Sequence, residues 1–434
     1  MLYRAGRTTT YPEDPVEKGV RFHFLGGAGE VGNVGCVIED HTGTKVLMDY
    51  GLAPTKPPKY PSEAPLMDHA VITHSHIDHI GMAPWLVGHH GTTLHGSRLT
   101  SNLSEIMWRD TYKVSSIEGY PLAWDKRDLD AALGAWQEHD MGEQFSIGNW
   151  DLKFHIAGHI PGAVMTEINT PSGKILWTGD MDTRESPNVS GAKPVECDIL
   201  CLEGTYGGKY HPDRKEEEQR FVDRVLDVVA RGGVAVVPAF ASGRGQDVIM
   251  ILHDAAPELE VHYDGMGTRV SQVWLENPDL LREPRKMRKA WNWCRRVRSK
   301  SDRKKALDAD VIVTTSGMLD GGPVIWYINR LRHDPANAIL LTGYQAEGSG
   351  GRMLLEHRRL PIWGKNTPVE LEVTQFSLSN HAGHAELADF ARKCSPKHVI
   401  LFHADAEPAM ALAEELGSEM QVHIPENGKS LVIK

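Results

Sequence analysis

The stretch His74-Ser75-His76-Ile77-Asp78-His79-Ile80-Gly81 decides how this chain is read. Three histidines and an aspartate, all strong metal ligands, stand within six residues of one another. Ahead of them, the apolar run Ala70-Val71-Ile72-Thr73 reads as the end of a buried strand. Behind them, Gly81-Met82-Ala83-Pro84-Trp85-Leu86-Val87 reads as a helix start, with proline in the first turn. A strand-to-helix loop lets side chains converge on one point. Neutral imidazoles and a carboxylate, with no thiolate nearby, suit zinc, iron or manganese. A solvated histidine-rich loop is the bland alternative. The strand-loop-helix frame and the included aspartate disfavour it.

Working outward, further polar residues stand at the ends of apolar strands. Lys45-Val46-Leu47-Met48 ends in Asp49, placed to orient a ligand histidine through its other ring nitrogen. The strand over 150–156 leads into Ala157-Gly158-His159-Ile160-Pro161-Gly162. Glu167-Ile168-Asn169-Thr170 and Lys174-Ile175-Leu176-Trp177-Thr178 flank Pro171-Ser172-Gly173 as a hairpin, and the second arm ends in Gly179-Asp180. Ile199-Leu200-Cys201-Leu202 ends in Glu203. Near the C-terminus a strand over 369–376 precedes Ser379-Asn380-His381, and Lys397-His398-Val399-Ile400-Leu401-Phe402 ends in His403. A strand pair at 420–424 and 430–433 closes the chain. A lone histidine such as His159 is usually structural, and only its place among the others promotes it.

One motif misleads. Gly27-Ala28-Gly29-Glu30-Val31-Gly32 fits G-x-G-x-x-G, but a dinucleotide fingerprint needs a helix after its glycines. Asn33-Val34-Gly35-Cys36-Val37-Ile38-Glu39 follows instead, strand-like, and His41-Thr42-Gly43-Thr44 turns into the next strand. The pattern is a β-meander after an irregular lead-in over residues 1–19.

From about residue 206 the pattern changes. A helix over 212–231 leads to the strand Val234-Ala235-Val236-Val237-Pro238, and strands then alternate with helices, as in a parallel α/β sheet. Three strands end in small-residue loops: Ala241 to Gln246, Ser316-Gly317-Met318 with Gly321-Gly322, and Gly343 to Gly348. Such loops lie at the carboxyl edge, where parallel sheets bind ligands, and their backbone N–H groups suit phosphates. Turn chemistry alone explains any one of them; three on one edge point to binding.

Composition bounds the rest. A chain of 434 residues exceeds one ordinary domain, and 41% hydrophobic residues suffice for two cores. No apolar run is long enough to span a membrane, and Met1 to Arg7 hold no signal-like stretch. The five cysteines are scattered and odd in number, which suits a reducing cytoplasm. Cys197 and Cys201 alternate like core residues of a strand. The net charge is −11, yet residues 282–305 hold twelve Lys or Arg against two acids. Within that segment Trp291 and Trp293 interleave with the basic residues. That suits a single-stranded nucleic-acid track, and a solvated helix with a packed tryptophan fits equally for the two rings.

Taken together, seven of the strand-end residues would complete a dinuclear site. His74, His76 and His159 suit one metal, Asp78, His79 and His403 suit the other, and Asp180 and a hydroxide would bridge them. Two metals can generate a nucleophile and neutralise a phosphoryl transition state.

With H-x-H-x-D-H, His159, Asp180 and His403 in hand, the chain resembles the metallo-β-lactamase superfamily. The α/β insertion between Glu203 and His381 is similar to the β-CASP nucleases. Thr315-Ser316-Gly317-Met318-Leu319-Asp320-Gly321-Gly322-Pro323 and Gly343-Tyr344-Gln345-Ala346-Glu347-Gly348 resemble the branch holding the cleavage and polyadenylation endonuclease subunit and its archaeal and bacterial relatives. The resemblance implies an αββα sandwich formed by residues 1–205 and 366–434, with a parallel-sheet β-CASP domain inserted over 206–365. It implies two zinc ions held by the seven residues, with Asp78 and Asp180 also part of the catalytic machinery. His381 would be the general acid for the leaving 3′ oxygen, with Glu203 as its partner. The reaction implied is attack of a metal hydroxide on a phosphodiester of single-stranded RNA, leaving a 5′ phosphate and a 3′ hydroxyl. Arg244, Ser316, Gly317 and Ser379 fall where RNA phosphates would bind. Relatives also suggest a homodimer and a place in an RNA-processing or decay complex. Asn380, Gly204 and Ala404-Asp405 depart from the usual pattern, and none removes a ligand. Two other functions compete: hydrolysis of a small ester or thioester, and non-catalytic RNA binding. The insertion and the basic segment speak against the first, and the filled ligand positions against the second.

Overall fold

A computed structural model describes residues 9–55 and 57–434, so residues 1–8 of the expected lead-in lie outside the described residues. The chain forms two compact units. One holds the chain up to Glu185 together with Ser190–Tyr210 and His381–Lys434; the other holds Ser186–Val189 and His211–Asn380.

The first unit is built on two seven-stranded sheets. In one, the order is Ser430–Ile433, Val20–Gly26, Gly35–Asp40, Lys45–Met48, His69–Val71, Thr93–Gly96 and Trp136–Glu138. In the other it is Gln421–His423, His398–Phe402, Ile199–Glu203, Gly173–Trp177, Val164–Thr170, Trp150–Ile156 and Gln144–Ile147. The expected meander is present: Val20–Gly26, Gly35–Asp40 and Lys45–Met48 pair antiparallel in succession. Alternation of side chains across each pleat explains the layers. Phe22, Phe24, Ile38 and Met48 of the first sheet meet Trp150, Phe154, Ile175, Trp177 and Phe402 of the second in one core. The opposite face of the first sheet, with Leu47, Ile72 and Leu94, packs under the helices that carry Leu86, Trp108 and Leu129. The opposite face of the second, with Met165, Leu176, Leu200 and Leu401, packs under Leu387, Phe390 and Leu412. The result is helix, sheet, sheet, helix. Cys197 and Cys201 are buried core residues in these layers.

The expected strand pair at the C-terminus is corrected. Gln421–His423 joins the second sheet beside His398–Phe402, whereas Ser430–Ile433 joins the first beside Val20–Gly26. The residues between them cross from one sheet to the other. The expected strand over 369–376 is also shorter, Glu372–Gln375. Val369, Leu371 and Phe376 are buried by core packing outside any strand ladder.

The second unit centres on a six-stranded sheet whose paired strands all run parallel, in the order Arg295–Arg296, Val261–Asp264, Val311–Thr314, Ala235–Pro238, Ala338–Leu341 and Glu372–Gln375. Its central strands are buried along their whole length, as expected where helices cover both faces.

Candidate metal centre

Each donor in the first unit sits where a strand stops. His74 and His76 lie in the loop after His69–Val71, and Asp78 and His79 in the short helix Ile77–Ile80. His159 follows Trp150–Ile156, Asp180 follows Gly173–Trp177, and His403 follows His398–Phe402. The histidine loop is braced from below by the segment after Lys45–Met48 and by Val34, just ahead of Gly35–Asp40. Tyr50 N donates to His79 O at 2.8 Å, Leu52 N to Ile77 O at 3.1 Å, and Val34 N to Asp78 O at 2.9 Å. Gly51 is required there, since a Cβ at that position would stand 1.6 Å from Asp78 O. Asp49 and His403 have φ angles of 54° and 51°, left-handed conformations that non-glycine residues adopt at a cost.

Three donor groups result, two of them rich in histidine and the third formed by Asp180, Glu203 and His381. In the first, one ligand atom each from His74, His76, His159 and Asp180 lies within 4.8 Å of all the others. In the second, Asp78, His79 and His403 meet the same condition. Asp180 faces both. Its Oδ2 is 3.6 Å from His74 Nε2 and 3.8 Å from His159 Nε2, while its Oδ1 is 3.3 Å from His79 Nε2 and 3.1 Å from His403 Nδ1.

The donor set fits a metal pair. His79 Nε2, His403 Nε2 and Asp180 Oδ1 are buried and have no hydrogen-bond partner among the described residues. Buried polar atoms are rarely left so. Tautomers agree with this. The Asp49 carboxylate only accepts, so His79 Nδ1 donates to Asp49 Oδ2 at 2.9 Å, which leaves the Nε2 lone pair aimed inward. Charge agrees too. Burial opposes protonation of His79, but Asp180, Asp49 and Asp78 outweigh it and hold the ring well above the ordinary imidazole value. Against the same burial, Asp180 and Asp78 push His403 up to about 10. By contrast, burial and His79 hold His74 well below its ordinary value. The pocket around Asp180 therefore favours positive charge, which divalent cations supply.

A third arrangement adjoins these groups. His381 Nδ1 donates to Glu203 Oε1 at 2.9 Å, and its Nε2 faces Asp180 Oδ2 at 3.9 Å. Glu203 is fully buried and also accepts from Met181 N at 3.1 Å and Thr205 N at 3.0 Å. Those bonds fix the side chain that orients the ring. Burial opposes charge on His381, yet Glu203 and Asp180 prevail and raise its pKa. The His381 side chain keeps 19% exposure where Asp180 keeps 2%, so a proton on it can reach a substrate atom.

The structure thus brings together Asp49, His74, His76, Asp78, His79, His159, Asp180, Glu203, His381 and His403. Sequence reasoning missed Thr73 and Thr205. Thr73 Oγ1 donates to Asp49 Oδ2 at 2.9 Å, and Thr205 Oγ1 lies 3.1 Å from His403 Nδ1. Thr73 directly precedes His74, and Thr205 stands two residues past Glu203; adjacency was the only available signal.

Arg244, Ser316, Gly317 and Ser379 belong to the second unit. The loops of Gly317 and Gln345 meet there, against Phe240 just ahead of the Ala241–Gln246 loop. A Cβ on Gly317 would stand 3.0 Å from Phe240 N, and Gln345 Nε2 donates to Gly317 O at 3.1 Å. Arg244 is buried, with Nη1 3.7 Å from Asp247 Oδ2 and 3.4 Å from Asn380 Oδ1. Buried Ser379 gives its carbonyl to Arg214 at 3.1 Å. In the basic segment both tryptophans are half-buried. Arg296 covers the Trp291 ring at 4.8 Å, and Trp293 Nε1 donates to Pro257 O at 2.8 Å. Arg285, Lys289, Lys304 and Lys305 stay exposed.

A two-sheet sandwich with histidines and carboxylates converging at its strand ends defines the class: a metal-dependent hydrolase of the metallo-β-lactamase superfamily. The chain belongs to the β-CASP family within it. A metallo-beta-lactamase superfamily model matches residues 30–216, a Beta-Casp domain model 246–354, and a Zn-dependent metallo-hydrolase RNA specificity domain model 366–425. The chain is 32% identical over 403 residues to "Probable RNase MJ4" of Methanocaldococcus jannaschii, covering 90% of this chain and 94% of that one. It is 31% identical over 423 residues to "RNase aCSPSF2" of Saccharolobus solfataricus, covering 94% and 84%. It is 28% identical over 449 residues to "Cleavage and polyadenylation specificity factor subunit 3" of Dictyostelium discoideum, covering 94% and 57%. A crystal structure of a protein of unknown function from Enterococcus faecalis shares the fold, with a TM-score of 0.62 at 13% identity over 96% of this chain and 100% of that one.

Proposed function

We propose that the protein is a zinc-dependent ribonuclease that hydrolyses phosphodiester bonds of single-stranded RNA to 5′-phosphate and 3′-hydroxyl ends. The relatives named as RNases support the substrate class. The observation that carries the chemistry is Asp180, one carboxylate oxygen toward each histidine-rich donor group.

In this reading His74, His76, His159 and Asp180 would hold one zinc, and Asp78, His79 and His403, with Asp180, would hold a second. Zinc bound there supplies a water deprotonated near neutral pH and positive charge for the phosphoryl oxygens. Asp49 fixes the His79 tautomer, and Glu203 fixes that of His381. His381 delivers its proton from Nε2 to the leaving 3′ oxygen, the step for which a carboxylate-held imidazole is suited. In the second unit, the glycine-rich loops with Arg244, Ser316, Gly317 and Ser379 are the candidates for phosphate contacts. The exposed basic residues of 282–305 add general attraction for the RNA backbone.

Among the described residues no helix is long and apolar enough to cross a membrane. Five buried free cysteines suit a reducing cytoplasm, where we place the enzyme, as a homodimer serving RNA processing or decay.

The test is end-group analysis after incubation of zinc-loaded protein with labelled single-stranded RNA. Products bearing 5′ phosphate and 3′ hydroxyl are expected. Intact RNA beside a hydrolysed thioester, or products with 2′,3′-cyclic phosphate, would contradict the reading.

A further inference from the structure

The five residues from Asp180 to Arg184 reach His381 by three routes. Asp180 itself faces the His381 ring. Met181 N donates to the same Glu203 oxygen that receives His381 Nδ1. The third route is through backbone. The peptide unit joining His381 to Ala382 is gripped at both polar ends: its N–H donates to Met181 O at 2.8 Å, and its carbonyl accepts from Arg184 Nη2 at 2.9 Å.

Arg184 is held rigid in turn. Its Nε donates to Asp182 Oδ1 at 3.0 Å and its Nη2 to Asp182 Oδ2 at 2.7 Å, a forked, charge-assisted pair. The Asp182 side chain keeps only 3% exposure. The loop's own course depends on other bonds, Asp182 N to Ala157 O at 2.9 Å and Ala192 N to Asp182 O at 2.8 Å. Asp182 Oδ1 also accepts from Arg184 N at 2.9 Å, so the side-chain pair braces its own turn and, through Arg184 Nη2, holds the residue that carries the ring, at the point where the chain re-enters this unit.

We propose that Asp182 and Arg184 are positioning residues for proton transfer by His381. Gripping the 381–382 peptide fixes the Cα of His381 and Glu203 fixes its ring; both bonds to the peptide come from the segment that carries Asp180, which also donates Met181 N to Glu203. Distance between the acid and the reacting phosphoryl group is thereby set by one short loop. A displacement of about 1 Å at such a point costs on the order of 100-fold in rate. The proposal rests on the reading of His381 as the general acid.

The experiment uses the full-length zinc-loaded protein with Arg184→Met. Two RNAs of one sequence are compared, one natural and one with sulfur bridging the 3′ position of the mapped cleavage site. Thiolate leaves without a proton, so the sulfur substrate does not need the acid. Expected is a fall in kcat of roughly 100-fold on natural RNA, with KM and zinc content unchanged and kcat on the sulfur substrate preserved. Equal losses on both substrates would assign the pair a general structural role and overturn the proposal, as would no loss on either. His381→Ala on the same substrates separates the two readings. If it loses both equally, the acid role itself fails. If it is selective and Arg184→Met is not, only the positioning role fails. Should Arg184→Met fail to fold, Asp182→Asn, which keeps shape and removes the charge, is read by the same criteria.

Discussion

Asp49 Oδ2 and His79 Nδ1 are 2.9 Å apart, both fully buried, and that bond decides which nitrogen of His79 faces the donor cluster. Removing the carboxylate's charge frees the tautomer. Asp49→Asn is expected to weaken zinc at the group of Asp78, His79 and His403 by roughly 10- to 100-fold, as loss of such outer partners typically does. Competition with a chromophoric chelator measures it. Two zinc ions bound with unchanged affinity would refute the orienting role.

His381 clusters with Glu203 and Asp180, and contributes no atom to the group of His74, His76, His159 and Asp180 or to the group of Asp78, His79 and His403. His381→Ala is expected to keep its zinc and to lose RNA cleavage by roughly 100- to 10,000-fold, the usual worth of a general acid. Metal analysis and initial rates on one preparation decide. Unimpaired cleavage would remove His381 from the mechanism.

Gly51 lies under the histidine loop with no room for a side chain. Gly51→Ala forces the Asp78 carbonyl away, so lower zinc occupancy and a lower thermal midpoint are expected together. A variant as stable and as metal-rich as the parent would show that the loop is not braced there.

Away from the metal centre, His69 Nδ1 lies 3.0 Å from His95 Nε2, and His95 Nδ1 lies 3.0 Å from His139 Nε2. Burial, with His139 and His69 beside it, lowers the His95 pKa to about 3. The folded state thus refuses a proton that the unfolded chain accepts near pH 6.5. The sign follows: stability is unaffected by this group above that value, and falls as pH drops from there toward 3. The stability gap between the parent and His95→Gln should narrow by up to about 1.4 kcal/mol per pH unit below 6. Denaturant unfolding at pH 7 and pH 5 measures it, and a gap independent of pH would contradict the shift.

Exposed Lys289 and Lys304 carry the nucleic-acid reading of the basic segment. Each change to Ala is expected to reduce the slope of log affinity against log salt by about 0.7 for single-stranded RNA. Binding measured between low and moderate salt with uncleaved RNA would show it. An unchanged slope would mark the segment as a solvated face.

The fold class was legible in the sequence because strand ends carry chemistry here. Asp49, Asp180, Glu203 and His403 each stop an apolar run, and period-two burial placed those runs in sheets. The inserted parallel sheet was legible from strands that alternate with helices. What was not legible depends on long-range pairing. Gln421–His423 and Ser430–Ile433 look like a hairpin locally, and only the competing edges of two sheets separate them. Trp291 and Trp293 could not be assigned from pattern, because their partners, Arg296 and Pro257, are set by how the helix lands. Thr73 and Thr205 had only adjacency to recommend them, and the tie from Arg184 to His381 was invisible because it joins loops far apart in sequence.

The most direct test of the central claim, a two-metal ribonuclease bridged by Asp180, is cleavage of labelled single-stranded RNA before chelation, after it, and after zinc is restored, with zinc counted each time. Expected are two zinc ions per chain, cleavage abolished with their removal and recovered with their return, and neither zinc-dependent cleavage nor full occupancy in Asp180→Asn. Cleavage that persists in the metal-free protein, or full activity in Asp180→Asn, would contradict it.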